Sequence, residues 1–379
     1  MDLGRFLEGK IGYFWHDFWP WLAFYAVLLL LLILLSRRFF VWKPKQYRAV
    51  KVVLGNLVVF VFILLHIIMG LEFYYRYIFD ETDNIFQMKT TQRWFDRHVV
   101  YNAFTFRDEH FPGDKDPEEL RLAIIGDSFV FGYGIKNSAE RLNEQLEAKI
   151  KKACGKSRVH AIAQPGMDTV HELAFLKQYV ARKPYDGVIL GYFLNDQAGD
   201  DTATNLPWYG QINGWRTRPM VGFLMKNSFA LEYFLVHLSL QFDPQVLKGA
   251  DYYGALYRNE EVWRNHTKTL DTFIKTTRPY RLPLMVVLFP VMNTIGDQYP
   301  YRDVHAKLAS YFSQNNIPVV DLEPSYSALG REAVMVSKRD FHPNERGHAI
   351  AADLVYEKLK ETNLVQCPKT KTLPRRPLL

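Results

Sequence analysis

Residues 121–134, RLAIIGDSFVFGYG, decide how this chain is read. Leu122–Ile125 are apolar without interruption, which suits a strand buried on both faces of a parallel sheet. Gly126 then permits a sharp turn, and Asp127 and Ser128 follow at once. Ser128 therefore falls at the C-terminal edge of the strand, where open α/β sheets gather their reactive groups. Taken alone, Gly-Asp-Ser is equally an ordinary Asp/Ser turn.

Working outward, further apolar runs repeat the pattern. VHAIA (159–163), GVILGYF (187–193), PLMVVLF (283–289) and IPVVDL (317–322) read as four more strands. Helical patterns fill about 138–153, 169–182, 259–278, 300–315 and 345–361 between and after them. Asn137 and Glu140 are spaced as an N-cap and its N3 partner. Strand–helix alternation of this kind predicts an α/β fold, a three-layer parallel sheet spanning residues 119–362. Residues 197–258 interrupt it with an insertion rich in Trp, Tyr and Phe that has no clear period. The insertion follows a strand's C-terminal end, a place suited to substrate-binding elements.

The 379 residues suit two domains, or one large domain with an appendage. Residues 20–36 and 52–71 are apolar runs without a charge, each long enough to cross a hydrocarbon core of roughly 30 Å. Two transmembrane helices are expected there, in a membrane anchor over residues 1–71, with a juxtamembrane lead-in over 72–118. The pattern a signal peptide requires, positive residues before a shorter apolar core and then a small-residue cleavage site, is missing. Between the runs, Arg37, Arg38, Lys43, Lys45, Arg48 and Lys51 stand without a single acid. The positive-inside rule places that loop in the cytoplasm, and everything after about residue 72 on the far side. Trp15, Phe18, Trp19 and Trp21 at one end, and Phe39, Phe40 and Trp42 at the other, suit aromatic belts. Asn56 and His66 in the second run are expected to face the first helix or a partner subunit.

The net charge of +7 is accounted for by that loop and by a basic, Pro-containing tail, 363–379, expected to be disordered from residue 367. The rest of the chain is close to neutral and lacks the basic stripe that phosphate neutralisation demands, so nucleic acid is excluded as a partner. The only two cysteines, Cys154 and Cys367, rule out a disulfide scaffold and a four-thiolate zinc site. One bridge between them stays open in an oxidising compartment. Asp127, Asp196, Asp200 and Asp201 lack histidines at ligating spacing, so no metal or other cofactor is expected. Asp127 and Asp196 are expected to tie down their own loops instead.

Chemistry enters with three further positions. Gly166, after the second strand, offers a backbone N–H, and Asn195, after the third, a side-chain amide. A late block, DFHPNERGH (340–348), precedes the last helix and carries His342, with Asp340 two residues before it. Together with Ser128 these supply a nucleophile, two oxyanion donors, a base and an orienting acid, the parts that acyl transfer needs. His348 lies inside the helix and is expected to pack.

GDSFVFGYG, the Gly166 segment, FLND (193–196) and DFHPNERGH, in this order, resemble the GDSL-type SGNH hydrolases over residues 119–361. NAFTFRD (102–108) resembles the lead-in of membrane-anchored bacterial members. The resemblance implies a flavodoxin-like three-layer sheet, Ser128 as nucleophile and His342 as base, with the Ser128 and Gly166 N–H groups and the Asn195 amide as oxyanion hole. Many members place the acid three residues before the histidine, where this chain has Arg339. Asp340 matches the shorter spacing of acetyltransferase-like members. The expected protein is a serine esterase or O-acyltransferase in the inner (plasma) membrane, facing the periplasm or cell exterior. Its substrate would be an ester on a cell-envelope glycan or lipid. The alternative is an accessory role beside a multi-span membrane acyltransferase.

Overall fold

The computed structural model of the protein describes residues 19–41, 48–83, 87–108, 115–197, 214–241 and 252–368. Two compact units divide the chain, Met1–Phe79 with Pro219–Leu235, and Asp80–Arg218 with Val236–Leu379. In the first, α1 (Trp19–Val41) and α2 (Arg48–Phe73) carry the apolar runs. Both are long and apolar enough to cross a membrane, and neither is buried. The ring of His66 meets Tyr25 of α1 edge-on at 5.4 Å, so His66 does face the first helix, and its Nδ1 lies 2.8 Å from Phe62 O. Trp15, Phe18 and Trp42 lie outside the described residues.

The second unit begins with α3 (Lys89–His98) and enters its sheet at β1 (Glu119–Gly126), followed by the single-turn α4 (Ser128–Phe131). Next come α5 (Leu142–Cys154), β2 (Lys156–Ala163), α6 (Thr169–Phe175) and β3 (Gly187–Phe193). The insertion supplies α7 (Pro219–Asn227), α8 (Phe229–Gln241) and α9 (Tyr252–Arg258). After it come α10 (Glu260–Thr277), β4 (Leu284–Phe289), α11 (Arg302–Gln314) and β5 (Val319–Asp321). The short α12 (Glu323–Leu329) and α13 (Arg331–Val334) lead to the closing α14 (Glu345–Thr362).

All four strand pairings are parallel, in the order β2-β1-β3-β4-β5, so the α/β fold read from the alternation is the one observed. β1, β3 and β4 are almost wholly buried, as their uninterrupted apolar runs require. Some boundaries differ. The expected helix over 138–153 starts only at Leu142, because Ser138–Glu140 form a separate 3₁₀ turn and Arg141 is extended. Asn137 caps that turn through Ala139 N–H rather than forming a box with Glu140. The helix expected over 169–182 is α-helical to Phe175 and widens into a π turn over Leu176–Val180. The insertion without a clear period is largely helical among its described residues. α8 carries Glu232 and His237 among apolar residues with no segregated apolar face, so it leaves no stripe for a 3.6-residue period to show.

Register brings the site loops together. Gly126 pairs with Ala163 of β2 and with Gly191 of β3, so the chain leaves three neighbouring strands at one edge. The two paired glycines allow a close approach there. A methyl group on Gly126 would lie 2.8 Å from Gly191 O, and one on either residue would run into Val130 of α4. Absence of both side chains lets α4 fold back onto the strand ends and present its first residue, Ser128. Gly191→Ala is expected to lower unfolding stability by about 1–3 kcal/mol through overpacking. Denaturant midpoints of the purified variant against wild type measure this.

Candidate active site

Ser128 opens α4, and the turn before it is held by Asp127, whose Oδ1 accepts Phe129 N–H at 2.9 Å. Ser128 Oγ lies 2.8 Å from His342 Nε2, and His342 Nδ1 lies 2.5 Å from Asp340 Oδ1. These three residues, which span more than 200 positions of the chain, form one hydrogen-bonded series. The two-residue spacing works because the Asp340 carboxylate reaches forward to both the backbone and the ring of His342. Asp340 Oδ1 accepts His342 N–H as well as the ring, at 3.1 Å. Arg339, at the commoner position, is exposed.

The loop carrying His342 is pinned on every side. Asp340 N–H donates to Ser337 Oγ, and Val336 N–H donates to His342 O. Asn344 caps α14 through Gly347 N–H while its amide donates to the carbonyls of Ala333 and Met335. The imidazole itself is stacked on Tyr133 at 4.4 Å and rests against Phe129 at 5.1 Å. Asp340 is fully buried, and its second oxygen accepts from the Thr82 hydroxyl. Tyr133 in turn donates from its hydroxyl to Asp83 O at 3.0 Å. Residues 82 and 83 thus support both the histidine and its carboxylate. Nothing in the sequence marks Thr82, because its partner is 258 residues away. Tyr133 lies within the block that drew attention to Ser128, but as a neighbour rather than as a part of the site.

Gly166 and Asn195 flank Ser128 by register, on the loops that leave β2 and β3. Gly166 is in the left-handed region, at φ +80°, where glycine is favoured, and it is exposed. The Asn195 amide points one N–H at Asp127 Oδ2, 3.4 Å away, and carries a second. Asp196 ties its own turn by accepting Phe193 N–H at 2.9 Å, so both acids hold their loops as expected. Asp200 and Asp201 lie outside the described residues. Among the described residues, no group of His, Cys, Asp and Glu is arranged to hold a metal.

A buried acidic layer lies beneath these loops. Burial raises Asp127 to about 6, opposed by the Phe129 N–H and by His342. Burial, then the charge of Asp127, puts Glu172 well above the usual carboxylate range. Burial, then the charges of Glu172 and Asp127, does the same for Asp196. A folded-state value above the unfolded one means that the folded chain holds the Asp127 proton more tightly. Its contribution to stability is present below about pH 4 and is lost as pH rises through about 6.

The lead-in motif 102–108 is scaffold. Asn102 Oδ1 accepts from the N–H groups of Phe104 and Phe106. Arg107, buried and lowered to about 9 mainly by desolvation and then by the Arg141 charge, donates to the carbonyls of Gly132, Ile135 and His98. It thereby fixes the loop behind α4. His348 is fully buried, accepts Leu142 N–H on Nδ1 at 3.1 Å, and is lowered to about 3 by burial, a packing role as expected. Cys154 and Cys367 are bonded to each other. The expectation of disorder from residue 367 therefore fails at its first residue, because the bridge holds Cys367 against the end of α5.

No family model matches the chain, and no curated protein does. Solved structures do. A lipase from a goat rumen metagenome is 15% identical with a TM-score of 0.37, over 63% of this chain and 97% of that one. A lipase/acylhydrolase from Enterococcus faecalis is 15% identical at 0.39, over 66% and 99%. A two-domain esterase active on acetylated mannans is 16% identical at 0.36, over 69% of this chain and about half (53%) of that one. At these values the geometry of the site, rather than the likeness, carries the chemical reading. Thr82→Val, which leaves a buried Asp340 oxygen without its donor, is expected to cost about 1–3 kcal/mol of stability. Thr82→Ser should restore it, and denaturant titration of the three proteins compares them.

Proposed function

We propose that this chain is a membrane-tethered serine ester hydrolase or O-acyltransferase that works through an acyl-serine intermediate. The observation that carries the reading is the hydrogen-bonded series from Ser128 through His342 to the buried Asp340. A serine hydroxyl is a weak nucleophile at neutral pH until a base is within reach of its proton. His342 Nε2 is placed to take that proton as Oγ attacks the ester carbonyl, and to return it to the departing alcohol. Asp340 receives Nδ1–H, which fixes the tautomer and balances the imidazolium that forms. Negative charge on the carbonyl oxygen would be met by the N–H groups of Ser128 and Gly166 and by the Asn195 amide. Water then resolves the acyl-serine in hydrolysis, or a sugar hydroxyl in transfer.

Two apolar helices with a basic loop between them support an anchor in the plasma membrane with the α/β unit on the outer side. The Cys154–Cys367 bond agrees with an oxidising compartment. A tethered enzyme favours an immobile ester on an envelope glycan or lipid over a diffusing one.

Ser128→Ala and His342→Ala are each expected to abolish turnover of a short-chain aryl ester without unfolding the chain, because such residues act as a unit. Asn195→Ala should cost roughly 10²–10³-fold in kcat, the loss of one oxyanion donor. A fluorophosphonate should label Ser128 alone, and peptide mapping that finds another residue would overturn the assignment. Orientation is checked separately: a reporter active only outside the cytoplasm, fused after Leu379, should work, and loop 37–51 should resist impermeant reagents in intact cells.

A further inference from the structure

The unit that contains the two apolar helices also contains residues 219–235, more than 140 positions further along the chain. Their attachment is specific. Glu72, at the end of α2, is fully buried and acts as the cap of α8, accepting from Ser228 Oγ at 2.6 Å and from the N–H groups of Phe229 and Ala230 at 3.1 Å. Arg76, one turn on, pairs with Glu72 at 2.7 Å and donates to Asn227 O, the carbonyl that also accepts from Trp21 Nε1. Its guanidinium lies 4.8 Å from the Phe229 ring and 5.8 Å from that of Trp21. Tyr75 stacks on Tyr233 at 4.3 Å. The α7–α8 junction is therefore clamped to the N-terminal end of α1 and the C-terminal end of α2.

That clamp sets a depth. Counting about 20 residues of hydrocarbon core from Lys51 reaches residue 71, so Glu72 and Arg76 stand at the outer boundary. A hairpin fastened to them lies along that boundary. Its exposed side chains are wrong for water: Met220 is 75% exposed, Phe223 66%, Leu224 42% and Phe234 45%. α7 buries only Met225, the reverse of a helix that turns an apolar stripe to a core. Phe73 and Ile78 continue the exposed apolar surface on α2 and the turn after it. Lys226 is exposed beside them, with a stem long enough to reach the headgroups.

We propose that residues 219–235 form an interfacial membrane element, with Met220, Phe223, Leu224 and Phe234 set into the headgroup–acyl boundary of a phospholipid bilayer. The occupant of this face is lipid, because the face is continuous with the unburied surface of the two helices and is fixed at the level where they leave the bilayer. It rests on the membrane reading of α1 and α2.

The test uses the full chain reconstituted in phosphatidylcholine–phosphatidylglycerol nanodiscs. Its two native cysteines are bonded to each other, so an added thiol alone takes a nitroxide label. Labels are placed at Phe223→Cys and, independently, Met220→Cys. References are Leu57→Cys in α2 and Lys338→Cys, on a side chain 88% exposed in the α/β unit. Collision rates with oxygen and with a water-soluble nickel chelate give depth. Residues 220 and 223 should read about 5–10 Å below the phosphates, between the two references. If both match Lys338 while Leu57 is lipid-exposed, the interfacial element is refuted and the membrane anchor stands. If Leu57 is also water-exposed, the anchor itself is wrong. Shielding of 220 and 223 from both reagents would mean that a protein, a second copy or another subunit, covers this face, and the lipid assignment would be overturned.

Discussion

A carboxylate buried without water must be paired, and the α/β unit is organised around meeting that demand at Asp340. The side chain has no solvent exposure, and its two oxygens take donors from His342 N–H, the His342 ring and the Thr82 hydroxyl. Each donor belongs to a segment outside the strands and the long helices. The turn before α14 is irregular, and residues 80–83 have no secondary structure. Burial makes loss of any one donor costly, so the same charge that orients the imidazole also fixes the loop that carries it. Tyr133 extends the arrangement by stacking on His342 and bonding to Asp83 O.

The sheet solves a different problem, delivering a serine to that histidine. Three parallel strands end side by side, and the glycine pair Gly126 and Gly191 lets Val130 settle onto their ends. Side chains at these positions would lift α4 away and carry Ser128 with it. Arg107 holds the loop behind α4 through the carbonyls of Gly132 and Ile135 and ties it to His98 O at the end of α3. The guanidinium is desolvated to do so. The acidic layer of Asp127, Glu172 and Asp196 is a second electrostatic burden, in which burial raises all three carboxyls above their usual range and the charge of Asp127 adds to the rise of the other two.

The first unit shows the same principle at the end of α2. Glu72 is buried among apolar and aromatic groups, and three donors from the α7–α8 junction together with Arg76 satisfy it. An ion pair and a helix N-terminus thus join segments distant in sequence where apolar packing alone would specify little. In both units a buried acid joins segments that lie far apart in the chain.

Apolar patterning was enough to read the strands and the two long helices from sequence, because a strand buried on both faces is an uninterrupted apolar run, and so is a helix long and apolar enough to cross a membrane. Ser128, Gly166, Asn195 and His342 were legible because each comes after a strand or before a helix at a predictable edge, in blocks whose order is itself informative. Asp340 could be named but not chosen from spacing, since only the folded loop brings its carboxylate to His342 Nδ1. Thr82 could not be named at all. Neither could the union of Glu72 with Ser228 or the helices of the insertion, while the Cys154–Cys367 bond could be named as open but not decided. A side chain's own neighbours in sequence set its local conformation, whereas a hydrogen bond across 150 or 250 positions exists only once the sheet and the helices have packed.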